Sequence, residues 1–304
     1  MLLEVIETIQ RDAVISFPFL WNLTLNPPAY FTLFGRRVYF YGVLIALGFL
    51  LAMSFCARRS KRFGIRSDDF YDLMLWLIPL SILGARLYFV LFRLRDYAAD
   101  PISALYVWEG GLAIYGGVIA GVITALLVCR RKKIPFPAMI DLLVFGLLIG
   151  QIIGRWGNFM NREAFGAETE SFFRMGLTKP DGSTIYVHPT FLYESAWNLA
   201  GLIFLLLFEG RGKRRYDGQC ALIYFFWYGL GRAWIEGLRT DSLYIGGSGI
   251  RVSQLLSILL VLAAGTMLVI QGRREHPPEK LYVNRVNSEN KETGAEAAAE
   301  KQEV

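Results

Sequence analysis

Seven apolar runs of about 20 residues, each with few or no charges, constrain this chain more than any other feature of its sequence. A helix of about 20 residues spans the hydrocarbon core of a bilayer. The chain is 54% hydrophobic and 19% charged, whereas soluble domains are roughly 45–50% apolar and about 25% charged. We therefore predict an all-α integral membrane protein with seven transmembrane helices, at residues 38–57, 73–92, 110–129, 138–157, 189–208, 219 to about 238, and 252–271.

The loops between these spans differ in their content of basic residues. Three alternate loops carry thirteen arginines and lysines, whereas the other three loops are longer and carry seven. By the positive-inside rule the dense loops are cytoplasmic, so the N-terminus is predicted outside and the C-terminus inside. Arg36 and Arg37, on the outer side of the first span, oppose this orientation. The net charge of +6 follows from the loops, so it does not indicate a nucleic-acid partner.

The orientation divides the chain into three parts. Residues 1–37 form an extracytoplasmic lead-in, and residues 38–271 form the seven-helix transmembrane domain. Residues 159–188 are predicted as a small extracytoplasmic cap between spans 4 and 5. The tail at 272–304 is rich in Lys, Glu and Ala, so we expect it to be cytoplasmic, solvated and partly disordered.

The cysteines and histidines do not indicate a metal site. Cys56, Cys129 and Cys220 lie at or inside apolar runs without C-x-x-C spacing, which is typical of buried thiols. His188 and His276 are the two histidines of the sequence. We predict no metal and no cofactor.

The fourth span ends in an unusual polar stretch, which reads GRWGNFMNREAFG over residues 154–166. A charged side chain at membrane depth is costly and is usually paired, directed to a cavity or functional. The alternative is a polar helix end that reaches toward water.

Six charged residues lie inside the predicted spans: Arg86, Asp141, Arg155, Glu194, Arg232 and Glu236. On span 6, Arg232, Glu236 and Arg239 share one helix face, with Tyr228 one turn earlier. A buried ion pair that fixes helix registry is one interpretation. Arg155 and Arg232 both lie at the outer ends of their spans, where two guanidinium groups suit a lipid phosphate.

The motif G-R-x-G-N-F-x-N-x-E-x-x-G at 154–166 resembles the signature of prolipoprotein diacylglyceryl transferases. The resemblance extends over roughly residues 38–258 through further blocks, each near a span end. These blocks are YFYG at 39–42, GAR at 84–86, WEGGL at 108–112, HPTFLYE at 188–194, and YGLGR at 228–232 followed by Glu236, Arg239 and Asp241.

The resemblance implies an enzyme of the bacterial cytoplasmic membrane with its site toward the outer leaflet. It would transfer the diacylglyceryl group of phosphatidylglycerol to the lipobox cysteine in the signal peptide of a prolipoprotein. A thioether would form and glycerol phosphate would leave. The partners are therefore phosphatidylglycerol, prolipoproteins and the lipid bilayer.

The resemblance also implies roles for particular residues. Arg155 would bind the phosphatidylglycerol headgroup, and Arg232 would contact the substrate or the leaving phosphate. Asn158 and Glu163 would hydrogen-bond glycerol hydroxyls or orient Arg155. Further substrate-binding candidates are Tyr41, Arg86, Tyr228, Glu236, Arg239, His188 and Gly166.

The group that takes the thiol proton is left open. Some family members read His-Gly-Gly in span 3, where this chain has Tyr115-Gly116-Gly117. An unperturbed tyrosine has a pKa of about 10 and is a poor base near neutrality. Tyr115 is therefore either the base or a headgroup contact, and His188 is a second candidate base. A thiol activated by the positive field alone is the third possibility.

Two other classes of function use the same charged residues. A small transporter for an anionic solute would place arginine and glutamate within the membrane, although such proteins often contain repeated halves. A lipid-binding protein without catalytic activity would need the same arginines.

Overall fold

The computed structural model describes residues 12–98, 100–240, 244 and 249–300. Each predicted span falls on a helix, with ends that differ by a few residues. The helices are α1 (Phe40–Arg59), α2 (Ser67–Leu91), α3 (Ile114–Lys132), α4 (Phe136–Asn161), α5 (Thr190–Gly210), α6 (Gln219–Glu236), α7 (Val252–Gly272) and α8 (Tyr282–Glu300).

Among the described residues, six helices are long and apolar enough to cross a membrane: α1 to α5 and α7. The chain is thus a multi-pass membrane protein. Helix α6 has 18 residues, but Gln219, Arg232, Glu236 and its tryptophans and tyrosines make it less apolar than the other six. The seventh span therefore stays a prediction.

The all-α prediction is incomplete, because the described part of the chain also contains six short strands outside the helices. They are β1 (Val14–Phe17), β2 (Leu23–Leu25), β3 (Tyr30–Leu33), β4 (Arg36–Tyr39), β5 (Met175–Thr178) and β6 (Thr184–Val187). Strands of three or four residues are too short for a period-2 pattern to stand out in so apolar a chain.

Four of these strands form one antiparallel sheet in the order β2-β1-β5-β6. Its central pair joins the lead-in to the loop after α4, with Ile15 opposite Leu177. The face of this sheet packs on aromatic rings from helix ends, Phe159 of α4 and Phe191 of α5. We call this sheet the cap sheet. The remaining strands, β3 and β4, form a separate hairpin.

The chain divides into two compact units. The first takes its described residues from the ranges Met1–Phe55, Leu143–Arg214 and Gln219–Glu275, and the second from Cys56–Leu142, Arg215–Gly218 and His276–Val304. The first unit holds the cap sheet, the hairpin, α5, α6, α7, α1 up to Phe55 and α4 from Leu143 onward. The second holds α2, α3 and α8.

In the second unit a helix lies in the tail, for which the sequence predicts partial disorder. Helix α8 runs through the tail from Tyr282 to Glu300. Its first residue donates a backbone hydrogen bond to Asp217 Oδ2 at 3.0 Å. The composition that favours disorder is also rich in Ala, Glu and Lys, which are strong helix formers.

Candidate functional site

The polar stretch after the fourth span begins as a continuation of the helix. Helix α4 extends to Asn161, so Arg155 and Asn158 lie on its last two turns. A Cβ atom at Gly157 would lie 2.8 Å from the ring of Tyr41. The glycine therefore lets Tyr41, near the start of α1, pack directly against the signature.

One carboxylate stands at the centre of the site. Glu194 Oε1 lies 3.2 Å from Arg232 Nη1 and 3.5 Å from Arg239 Nη1, while its Oε2 pairs with Arg155 Nη2. The three arginines come from α4, from α6 and from the segment after α6. We call Glu194 and these three residues the arginine cluster.

A second carboxylate borders the cluster. Glu236 Oε2 lies 2.6 Å from Arg232 Nη2, one helical turn away, and the backbone carbonyl of Glu236 accepts a hydrogen bond from Arg251. This pair is the helix-face contact expected from the spacing. With three arginines against two glutamates, the cluster and Glu236 together carry one excess positive charge.

The arginines are more accessible than the carboxylate that holds them. The side chain of Glu194 is 6% exposed, whereas those of Arg155 and Arg232 are 23% and 16% exposed. The guanidinium groups thus keep donors at the surface of a site with net positive charge. Such an arrangement suits an anion with several oxygens, because arginine grips phosphate through paired donors.

Tryptophans fix the two helices that carry most of this cluster. Trp197 of α5 and Trp227 of α6 stack with ring centroids 4.7 Å apart. Each indole N–H donates to the backbone carbonyl of the other residue at 2.9 Å. This reciprocal pair sets the register of Glu194 against Arg232.

The polar end of the signature folds back on the last turn of α4. Asn158 Nδ2 donates to Glu163 Oε1 at 2.9 Å, and the backbone N–H of Glu163 donates to the carbonyl of Asn158 at 3.0 Å. The two candidate residues are therefore brought together as a pair. Glu163 stays exposed.

Arg162, in the same stretch, has a role that the sequence analysis missed. It is 4% exposed and donates to the carbonyls of Ala13 and Met160 and to Asn26 Oδ1, at 2.8–3.0 Å. It ties the end of α4 to the lead-in that supplies β1. The sequence around Arg162 gives no signal of this role, because its acceptors in the lead-in lie about 140 residues earlier.

Gly166 and His188 lie where three backbone segments meet. The N–H of Gly166 donates to the carbonyl of His188 at 2.9 Å, and Gly166 also bridges to Arg239. A Cβ at Gly166 would lie 2.7 Å from His188 Cβ and 2.8 Å from the carbonyl oxygen of Leu238. The glycine is required for close packing that positions Arg239.

Two further candidates of the first unit, Tyr228 and His188, lie near the cluster in sequence. Tyr228, one turn before Arg232, stacks on Tyr224 with centroids 5.7 Å apart. His188 Nδ1 lies 3.4 Å from the hydroxyl of Tyr193. Burial lowers the pKa of the His188 imidazole below its ordinary 6.5, so the ring is neutral at pH 7 and is able to accept a proton.

Arg86 and Tyr115 belong to the second unit. Arg86 is 6% exposed and donates to four backbone carbonyls, those of Ser103, Ala104, Gly110 and Gly111, at 2.7–3.1 Å. We therefore interpret it as a clamp on this segment, which disfavours its predicted contact with substrate. Tyr115 lies in the first turn of α3 and is 44% exposed.

Comparison with known proteins identifies similar chains. The model of the family described as prolipoprotein diacylglyceryl transferase matches residues 28–270. A protein of Halalkalibacterium halodurans is 44% identical over 75% of this chain and 80% of its own length. One of Enterococcus faecalis is 43% identical over 86% of this chain and 96% of its own length. Both are named phosphatidylglycerol–prolipoprotein diacylglyceryl transferase.

Proposed function

Because the chain belongs to the prolipoprotein diacylglyceryl transferase family, we infer that it transfers the diacylglyceryl group of phosphatidylglycerol to the cysteine thiol of a prolipoprotein. This reaction is the first step of lipoprotein maturation. The observation that carries the inference is the arginine cluster, in which three guanidinium groups converge on one carboxylate.

The chemistry of the reaction accounts for that cluster. The cysteine thiol loses its proton, for which His188 is the candidate acceptor. Its sulfur forms a bond to a glyceryl carbon as the bond from this carbon to the phosphate oxygen breaks. Glycerol phosphate leaves with the electron pair, so negative charge grows on its oxygens. Cationic donors already in place stabilise such charge without reorganising. Arg155 and Arg232, the more exposed arginines, are proposed to contact the phosphate, and Arg239 supports them.

The neighbouring polar pair is suited to the glycerol end of the headgroup. Asn158 and Glu163 hydrogen-bond each other at the end of the helix that carries Arg155. An amide and a carboxylate offer donors and acceptors that match hydroxyl groups. We propose that this pair binds the glycerol hydroxyls of phosphatidylglycerol.

A direct assay tests this function. Purified protein is incubated with phosphatidylglycerol and a synthetic peptide that contains a lipobox cysteine, and the peptide mass is measured. We expect the mass to rise by one diacylglyceryl group, with no change for a peptide that has serine in place of cysteine. A transporter or a non-catalytic lipid-binding protein would leave both peptides unmodified.

We propose that the protein lies in the bacterial cytoplasmic membrane with the cap sheet outside and seven spans. The natural cysteines Cys56, Cys129 and Cys220 are buried, so we expect labelling only at a cysteine introduced by substitution. In spheroplasts treated with an impermeant thiol reagent, we expect Pro180→Cys to be labelled and Arg131→Cys to be protected. Both positions are exposed in the structure, and the reverse pattern would invert the orientation.

A third thiol tests whether α6 crosses the membrane. With α6 as a seventh span the exposed tail position Glu292 is cytoplasmic, and Glu292→Cys is protected in the same experiment. Six spans would place the tail outside, and this variant would then be labelled. Permeabilised cells should label all three variants, which controls for intrinsic reactivity.

We propose that Tyr115 contacts the lipid headgroup and is not the base. In the sequence around span 3, no basic residue lies within one helical turn of Tyr115 to favour its ionised form. The activity of Tyr115→Phe should therefore fall by less than the roughly 10²–10⁴-fold that is typical when a general base is removed. The fall should come mainly from a higher KM for phosphatidylglycerol. A large loss that alkaline pH reverses would instead identify Tyr115 as the base.

The rate of the reaction at acid pH tests whether His188 is the general base. Its pKa is lowered, so a reaction that needs the neutral ring keeps its rate down to pH values below about 6.5 and slows only when the ring is protonated. If His188 is the base, His188→Gln removes this acid limb and most of the activity. A profile unchanged in shape excludes it.

A further inference from the structure

The hairpin formed by β3 and β4 carries an exposed apolar tip. Leu33 pairs with Arg36 across a two-residue turn, and Phe34 at this turn is 97% exposed. Leu33 and Phe31 on the adjoining strand are 49% and 38% exposed. Full exposure of a phenylalanine to water is unfavourable, since burying it gains about 1.5–3 kcal/mol.

The backbone conformation of the turn makes phenylalanine an unusual residue at position 34. Phe34 and Gly35 both have positive φ, +49° and +76°, as two-residue hairpin turns of type I′ require. Asn, Asp or Gly normally occupies the first of these positions, and a bulky residue there is strained. The geometry of the turn therefore does not explain why residue 34 is a phenylalanine. This indicates that the Phe34 ring makes a contact outside the turn.

Two cations accompany this apolar tip. Arg36 and Arg37 are both exposed, and the guanidinium of Arg37 lies 4.7 Å from the ring centroid of Tyr30 on the opposite strand. An apolar tip with arginines directly behind it matches the order of acyl chains and anionic headgroups in a lipid leaflet. The positive charge of these arginines therefore favours binding of the tip to an anionic lipid surface.

The connection to α1 fixes the hairpin beside a membrane span. Strand β4 ends at Tyr39 and the candidate span α1 begins at Phe40, with no residue between them. The N–H of Phe40 donates to the carbonyl of Ala29 at 3.0 Å, and its ring lies 5.3 Å from that of Phe31. The hairpin is therefore held at the end of a helix that crosses the bilayer.

We propose that this hairpin is an interfacial anchor: Phe34 enters the acyl region of the leaflet, and Arg36 and Arg37 bind phosphates of anionic lipids. The contact is separate from the arginine cluster and holds lipid without transferring any group. It also accounts for two arginines on the side of the first span that the positive-inside rule assigns to the exterior. The rival occupant is an extended peptide of a protein partner, paired to a free edge of the hairpin.

An environment-sensitive fluorophore tests the anchor. Phe34→Cys is labelled with a nitrobenzoxadiazole maleimide and reconstituted into phosphatidylglycerol vesicles, and emission and quenching by lipids brominated on the acyl chain are recorded. The matched control is Pro180→Cys, at the exposed tip of the β5–β6 hairpin, where the turn is polar. We expect a blue-shifted, bromine-quenched label at position 34 and a water-like, unquenched label at 180.

A second comparison tests the role of the arginines. In the labelled Phe34→Cys protein, Arg36→Gln with Arg37→Gln should reduce bromine quenching at least twofold in phosphatidylglycerol vesicles. Equal, water-like emission at positions 34 and 180 overturns the anchor. So does a label at position 34 that changes only when a lipobox peptide is added, which would assign the hairpin to a protein partner. Neither readout depends on transferase activity.

Discussion

Arg155→Lys is expected to lower turnover about ten- to hundredfold while the protein still inserts in the membrane. Lysine keeps the positive charge but loses the planar pair of donors that grips a carboxylate and a phosphate together. A hydrogen bond to a charged group contributes about 1.5–3 kcal/mol, and about 1.4 kcal/mol corresponds to a factor of ten in rate. The measurement is the rate of peptide modification at saturating phosphatidylglycerol.

The matched control for this change is Arg174→Lys. Arg174 belongs to the same unit but donates to the carbonyl of Glu170 and lies over the ring of Tyr186, away from the cluster. Its substitution should leave the rate within about twofold, as for a surface change. Near-normal turnover in Arg155→Lys would remove Arg155 from the phosphate site.

Glu194→Gln is expected to reduce stability as well as activity. It removes the shared counter-charge of three arginines, whereas Gln keeps the size of the side chain. Breaking a buried ion pair by removing one partner costs about 3–5 kcal/mol. We expect about 3 kcal/mol, because the arginines retain 11–23% exposure and water partly compensates. Thermal unfolding in detergent, followed by tryptophan fluorescence, measures the loss.

Phosphatidylglycerol should partly reverse this loss of stability. A bound phosphate returns negative charge to the guanidinium groups, and a ligand that binds the folded state raises its apparent stability. The unfolding midpoint of Glu194→Gln should therefore rise more with added phosphatidylglycerol than that of the unaltered protein. Glu168→Gln, at an exposed position of the same unit, should unfold like the unaltered protein. Equal gains in all three proteins would place the lipid phosphate elsewhere.

The sequence predicts the membrane helices well because apolar runs of span length are local signals. Each of the seven predicted spans falls on a helix, and within the described residues six of these helices are long and apolar enough to cross a membrane. The pairing of Arg232 with Glu236 is likewise local, since the two are one turn apart. The family is also evident from the sequence, because its motifs are runs of adjacent residues.

The remaining features depend on contacts between distant parts of the chain. Glu194 was recognised only as a charge inside a span, because its partners Arg155 and Arg239 lie on other segments. The contacts of Arg86 are also not evident from the sequence, since its donors reach carbonyls 17–25 residues further on. The cap sheet was missed because β1 pairs with a strand about 160 residues away.

This long-range pairing sets an order in which the protein is assembled during synthesis. Strand β1 is translated before α1 to α4, whereas its partner β5 is made only after them. Until then the apolar residues Ile15 and Phe17 lack the strand they pack with, and closing so long a loop is slow. Arg162 donates to the carbonyl of Ala13, the residue before β1. We therefore expect the cap sheet to be completed only once residue 178 has left the ribosome.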